Sequence, residues 1–153
     1  MKNFRRDFFK LFGLSFLSTI ILPYNLLYAV TKKIINPDLT GEQKNIMFND
    51  STERPFISPL NNEKRKGSYH CVVCGAKLFE SNAKYESGSG WPSFFQSLPD
   101  VFETKTDHHL GYARTEYHCK KCGGHHGHIF DDGPQPTGKR YCNNGICLVF
   151  KEK

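Results

Sequence analysis

The six cysteines are the most chemically capable side chains in this 153-residue sequence, and their spacing sorts them. Cys71 and Cys74 form one C-x-x-C pair and Cys119 and Cys122 another, within the near-copies His70-Cys71-Val72-Val73-Cys74-Gly75 and His118-Cys119-Lys120-Lys121-Cys122-Gly123. A two-residue gap lets both sulfurs of a pair point at one centre, and the glycine after it permits the tight turn this needs. Two such knuckles make a closed, tetrahedral four-cysteine site for one structural Zn2+ per chain, with no open position for a substrate. Disulfides are the competing use of these cysteines in an oxidising compartment, but paired C-x-x-C spacing favours metal. Four sulfurs fill the shell, so His70 and His118 are surplus to it.

Cys142 and Cys147 remain for chemistry. Cys142 stands in Gly138-Lys139-Arg140-Tyr141-Cys142-Asn143-Asn144-Gly145, where Arg140 and nearby His and Asn donors would stabilise a thiolate. Cys147 lies in the apolar run Ile146-Cys147-Leu148-Val149-Phe150, the setting of an inert buried thiol. By residue type alone, Cys142 is equally a small buried hydrophobe. His125 and His128, in Gly124-His125-His126-Gly127-His128, suggest either a second metal or proton donors facing one pocket; no neighbouring carboxylate pair or spare cysteine completes a metal site, which favours the donor role. Trp91, between Gly90 and Pro92, is either core or a rigidly presented aromatic wall.

From Tyr69 onward, short apolar pieces rich in aromatic and β-branched residues are divided by Gly, Pro, Asn and Asp, which predicts a mainly β domain. Before it, Asp38 or Thr40 can cap a short helix. Residues 1–29 read as an export signal: a basic start, the apolar run Leu11 to Leu22, then a polar-mixed stretch ending at Ala29. Twelve residues are too few to span a bilayer comfortably. Asn3 to Lys10, with Arg5-Arg6, has the form of a twin-arginine signal, which predicts periplasmic export, or membrane anchoring if the signal stays uncleaved. Residues 30–37 form a linker and 38–151 the domain. Lys2, Arg5, Arg6, Lys10 and Asp7 together supply +3 of the formal charge of +6, so the basicity argues weakly for nucleic acid.

Several ordered motifs, Leu78-Phe79-Glu80-Ser81, Ser87-Gly88-Ser89-Gly90-Trp91-Pro92-Ser93-Phe94, Arg114-Thr115-Glu116, His125-His126-Gly127-His128, Asp132-Gly133-Pro134, Pro136-Thr137-Gly138 and Arg140-Tyr141-Cys142-Asn143-Asn144, resemble the methionine sulfoxide reductase B family from about Leu39 to Phe150. The resemblance implies two antiparallel sheets with the structural zinc site on four cysteines, and reduction of methionine R-sulfoxide, free or in proteins, a repair of oxidative damage. It implies Cys142 as nucleophile and sulfenic acid, His125, His128 and Asn144 as residues that position and protonate the oxygen, Arg140 as the thiolate's stabiliser, and Trp91 and Phe94 as substrate-binding residues. The rival reading is a non-catalytic zinc-ribbon binding module, which leaves the Trp-Pro loop, the paired histidines and Arg140-x-Cys142 unexplained.

This chain departs from the family pattern at Ser89, where many members carry a resolving cysteine, and at His126, where an apolar residue is commoner. Cys147 is a poor substitute resolver, since five extended residues span roughly 17 Å. Recycling is therefore expected to use an external thiol donor such as a thioredoxin-like protein, with the enzyme a monomer that binds no nucleic acid.

Overall fold

The computed structural model describes residues 36–153; the export segment and most of the expected linker lie outside the described residues. Thr40 caps helix α1 (Gly41–Asn49), its hydroxyl accepting from the Gln43 N–H at 3.1 Å while the Gln43 side chain accepts from the Thr40 N–H at 2.9 Å. This reciprocal pair satisfies two of the donors that a helix start leaves orphaned. Asp50, in the left-handed region at φ 53°, ends the helix, of which only Ile46 and Met47 are buried. The next element is a 3-10 turn, Pro59–Asn62, capped by Ser58.

Nine short strands follow: β1 (Gly67–Cys71), β2 (Lys77–Glu80), β3 (Lys84–Tyr85), β4 (Ser93–Phe94), β5 (Phe102–Asp107), β6 (Arg114–Cys119), β7 (His125–Phe130), β8 (Arg140–Asn143) and β9 (Leu148–Glu152). They form two sheets, one in the order β2-β1-β9 and one in the order β3-β4-β8-β7-β6-β5, with every pairing antiparallel. The mainly β reading and the two antiparallel sheets are therefore what the chain adopts.

Aromatic side chains close the space between the sheets. Phe79 of β2 stacks on Phe94 of β4 with centroids 4.1 Å apart, and Tyr69 of β1 meets Phe94 edge-on at 4.9 Å. Phe79 also touches Phe102 of β5 and Tyr141 of β8. Tyr69, Phe79, Phe94 and Tyr117 are fully buried, and each such ring contributes about 2–3 kcal/mol of transfer free energy. Phe94, expected to bind substrate, is thus a core residue that joins the two sheets.

Candidate active site and metal centre

Cys142 sits in β8 between β4 and β7, opposite Ser93 on one side and His128 on the other. That register sets the Cys142 thiol beside the His128 ring, because directly paired residues project to the same face. The two strands approach closely at Gly127, where a Cβ would lie 2.0 Å from the Cys142 carbonyl oxygen. Any side chain at 127 would push β7 away from the cysteine. The loop before β4 reaches over the thiol: Ser89 Oγ is 3.9 Å from Cys142 Sγ, and Ser87 Oγ holds Ser89 Oγ at 2.8 Å and Ser93 Oγ at 2.7 Å.

Thr52, Trp91, Arg114, Gly127, His128, Phe130, Cys142 and Asn144 line a cleft of about 90 Å³. Larger clefts, of about 340 and 390 Å³, lie elsewhere and have no cysteine on their walls. The small cleft offers two aromatic faces, Trp91 and Phe130, against polar groups from His128, Asn144 and Arg114. Such a division suits a ligand that has one polar bond between apolar arms.

Trp91 and Asn144 are both held by Glu53. The Trp91 indole N–H donates to the Glu53 carbonyl at 2.9 Å, and the Glu53 N–H donates to Asn144 Oδ1 at 3.0 Å. The buried Glu53 carboxylate accepts from the Gly145 N–H at 2.6 Å and the Ile146 N–H at 3.2 Å, pinning the turn after β8. Burial raises the Glu53 carboxyl above its ordinary value, opposed by those two N–H donors. Asn144 Nδ2 donates to the His126 carbonyl at 3.1 Å, so its amide braces β8 against β7 as well as lining the cleft. A lone acidic residue in a loop carries no spacing signal, so only burial marks Glu53 as part of the site.

The histidines divide. His128 lines the cleft, and its Nε2 lies 2.9 Å from Asp107 Oδ2. Asp107 also accepts from the His109 N–H at 2.7 Å and pairs with Arg114, contacts that hold its carboxyl well below the usual range. A carboxylate acceptor makes His128 Nε2 the protonated nitrogen and leaves Nδ1 as the free one. Burial lowers the His128 pKa, and Asp107 opposes the shift. His125 is not on the cleft wall: it is 1% exposed, lies against His128 with ring centroids 5.7 Å apart, and is pushed down to about 3 by burial. It is neutral at physiological pH. Asp107 carries no motif, and its link to His128 arises only from the pairing of β5 with β6 and of β6 with β7.

Arg140 is engaged elsewhere. Its guanidinium makes a bidentate pair with Asp132 at 2.8 and 2.8 Å and lies 4.3 Å above the Phe130 ring. Burial raises the Cys142 thiol above its ordinary value, and Arg140 and Ser89 only partly offset this. Arg140 acts on the thiol in the expected direction, and desolvation outweighs it. Cys147 is 0% exposed and lies toward the three-stranded sheet, its carbonyl accepting from the Val72 N–H at 2.9 Å.

The two knuckles are the hairpin turns between β1 and β2 and between β6 and β7, and they repeat each other bond for bond. Gly75 and Gly123, at φ 68° and 72°, donate to the Cys71 and Cys119 carbonyls at 2.8 and 2.7 Å. His70 and His118 each place Nδ1 on the following glycine's carbonyl, at 3.1 and 3.3 Å. All four sulfurs are buried and lie within 4.8 Å of one another, with Cys71 to Cys122 and Cys74 to Cys119 at 3.6 Å. A tetrahedral Zn2+ with Zn–S bonds of about 2.3 Å would hold its sulfurs about 3.8 Å apart. The four cysteines are positioned to bind one metal ion, which would tie one sheet to the other.

Comparison with known proteins converges on one family. Residues 39–152 match the SelR domain. A peptide methionine sulfoxide reductase MsrB of Leptospira interrogans is 50% identical over 117 residues, 76% of this chain and 89% of that protein. The protein of the same name from Pseudomonas putida is 49% identical over 117 residues, covering 75% and 87% of the two chains. One from Methanosarcina barkeri is 48% identical over 114 residues, 74% of this chain and 80% of the relative.

Proposed function

This chain belongs to the methionine sulfoxide reductase B family, and from that premise we propose that it reduces the R epimer of methionine sulfoxide, protein-bound or free, through Cys142. The observation that carries the reading is the register that sets Cys142 opposite His128 on the wall of a cleft shared with Trp91 and Phe130. The sulfoxide's two apolar arms meet the aromatic faces, and its oxygen meets the polar side. The Cys142 sulfur attacks the sulfoxide sulfur, the S–O bond breaks, and an oxygen atom is transferred overall to Cys142. The sulfoxide sulfur gains two electrons and becomes the thioether, while the Cys142 thiol becomes a sulfenic acid.

His128, oriented through Nε2 by Asp107, offers its other nitrogen as the base that takes the Cys142 proton and passes it to the departing oxygen. His125 acts behind it as a positioning residue. Because burial favours the protonated form of the Cys142 thiol, its own proton is available to the departing oxygen once the sulfurs are in contact. Return to the thiol uses two external thiols: the first forms a mixed disulfide and releases water, and the second displaces Cys142. Zn2+ in the four-cysteine site supplies structure, since four thiolates leave it no open position. A SelR match across the whole domain disfavours the zinc-ribbon binding module.

The deciding assay offers separated S and R epimers of a methionine sulfoxide peptide with dithiothreitol and follows methionine by chromatography. Reduction of the R epimer alone, lost in Cys142→Ser and largely kept in Cys147→Ser, is expected; activity retained in Cys142→Ser would sink the assignment. Periplasmic export through the Arg5-Arg6 motif is part of the same proposal, resting on the sequence of residues 1–29. Arg5→Lys with Arg6→Lys should strand the precursor in the cytosol, and normal periplasmic accumulation of that variant would refute it.

A further inference from the structure

The spacing of the histidines suggested no partners for a second metal, but the fold supplies them. Strand β6 carries Glu116 and His118 two residues apart, His125 of β7 is paired directly with His118, and Asp50 follows the end of α1. Glu116 Oε1 lies 2.5 Å from His125 Nδ1 and 3.1 Å from His118 Nε2. With one Asp50 oxygen, these ligand atoms all fall within 4.8 Å of one another. Glu116 and His125 are more than nine-tenths buried. Among the described residues, Glu116 Oε1, His118 Nε2 and both His125 nitrogens have no properly directed hydrogen-bond partner.

His118 and His125 direct ring nitrogens at the same carboxylate oxygen. A carbonyl only accepts, so His118 Nδ1, placed on the Gly123 carbonyl, must carry the hydrogen. Nε2 is then the ring nitrogen directed at the Glu116 oxygen, 3.1 Å away in a buried setting. A metal ion bonded to Glu116 Oε1, His118 Nε2 and His125 Nδ1 would give all three atoms a partner at once. Lys105 balances the charge from the other side, its Nζ 2.8 Å from Asp50 Oδ2 and 3.3 Å from Glu116 Oε2. Its side chain is half exposed, and an open cleft of about 390 Å³ brings solvent to Asp50, Lys105 and His118.

We propose that Asp50, Glu116, His118 and His125 form a second metal site, separate from the four cysteines, that takes a divalent first-row transition-metal ion. Two imidazoles with two carboxylates suit Zn2+ or Fe2+ better than Ca2+ or Mg2+, which take oxygen ligands. Lys105 competes with the ion for both carboxylates.

The test titrates Co2+ into the full chain with Zn2+ already in the cysteine site, reading visible absorbance and metal content after gel filtration. The expected result is one further equivalent of Co2+ with d–d bands and no thiolate charge-transfer band, and zinc retained. Asp50→Ala should weaken Co2+ binding about tenfold, and Lys105→Met should tighten it, both with zinc retained. The proposal is overturned if no Co2+ binds beyond the zinc, if the bound Co2+ shows thiolate charge transfer, or if both variants bind Co2+ as the parent does.

Discussion

Cys142 and His126 show how burial reverses what residue type suggests. Arg140 beside a cysteine reads as a thiolate stabiliser, but the guanidinium is shared with Asp132, and desolvation leaves the Cys142 thiol above its ordinary value. Alkylation by iodoacetamide should therefore be slow at neutral pH and accelerate as pH rises. Arg140→Met, which removes the opposing charge, should move that pH profile further upward; an unchanged profile would show that Arg140 does not act on the thiol. His126 is 0% exposed against Tyr117 and Phe102, with the Asn143 side chain beside its ring but no properly directed hydrogen bond to either nitrogen among the described residues. Burial pushes it down to about 4 from 6.5. The unfolded chain then takes up a proton that the folded one refuses, so stability falls as pH drops from 6.5 toward 4. His126→Leu should raise stability by about 1–3 kcal/mol at neutral pH and by more at pH 5, measured by urea unfolding. A variant less stable at both pH values would refute this account.

Among the elements, the knuckles and the loop around Ser89 carry the most consequence. Each knuckle closes a hairpin, and the first joins its sulfurs to those of the second across the two sheets, so metal loss should loosen both. Cys74→Ser should release the zinc and cost on the order of 5 kcal/mol, a large share of what holds a domain of this size folded. Elemental analysis and thermal melting of the variant check it, and a zinc-free protein with an unchanged melting temperature would contradict it. With Ser89 Oγ 3.9 Å from Cys142 Sγ, the loop before β4 already delivers position 89 to the thiol. A cysteine at this position would lie within reach of the Cys142 thiol, whereas the serine cannot form a disulfide.

For the molecule as a whole, the proposed cycle draws its electrons from an external thiol. Cys147 is sealed in the core and Ser89 cannot form a disulfide, so one turnover without reductant should leave Cys142 as a sulfenic acid. Dimedone should label Cys142 under those conditions, and peptide mapping should find no internal disulfide. In Ser89→Cys, the same single turnover should yield a disulfide between the introduced thiol and Cys142 and abolish dimedone labelling. A Cys142–Cys147 disulfide in the unaltered protein would overturn this scheme.

What the sequence determines by itself is everything written in short-range spacing. The C-x-x-C-Gly knuckles, the Thr40 cap with Gln43, the β character of the domain and the order of the family motifs are all encoded within a few residues, and the fold reproduces them. The tertiary structure alone decides which of those side chains face the cleft. It sends Phe94 into the inter-sheet core, withdraws His125 behind His128, ties Arg140 to Asp132, and gives Trp91, Asn144 and His128 their partners in Glu53 and Asp107. These outcomes depend on strand register and on burial. Both are set by pairing between distant segments, and neither leaves a local pattern to read.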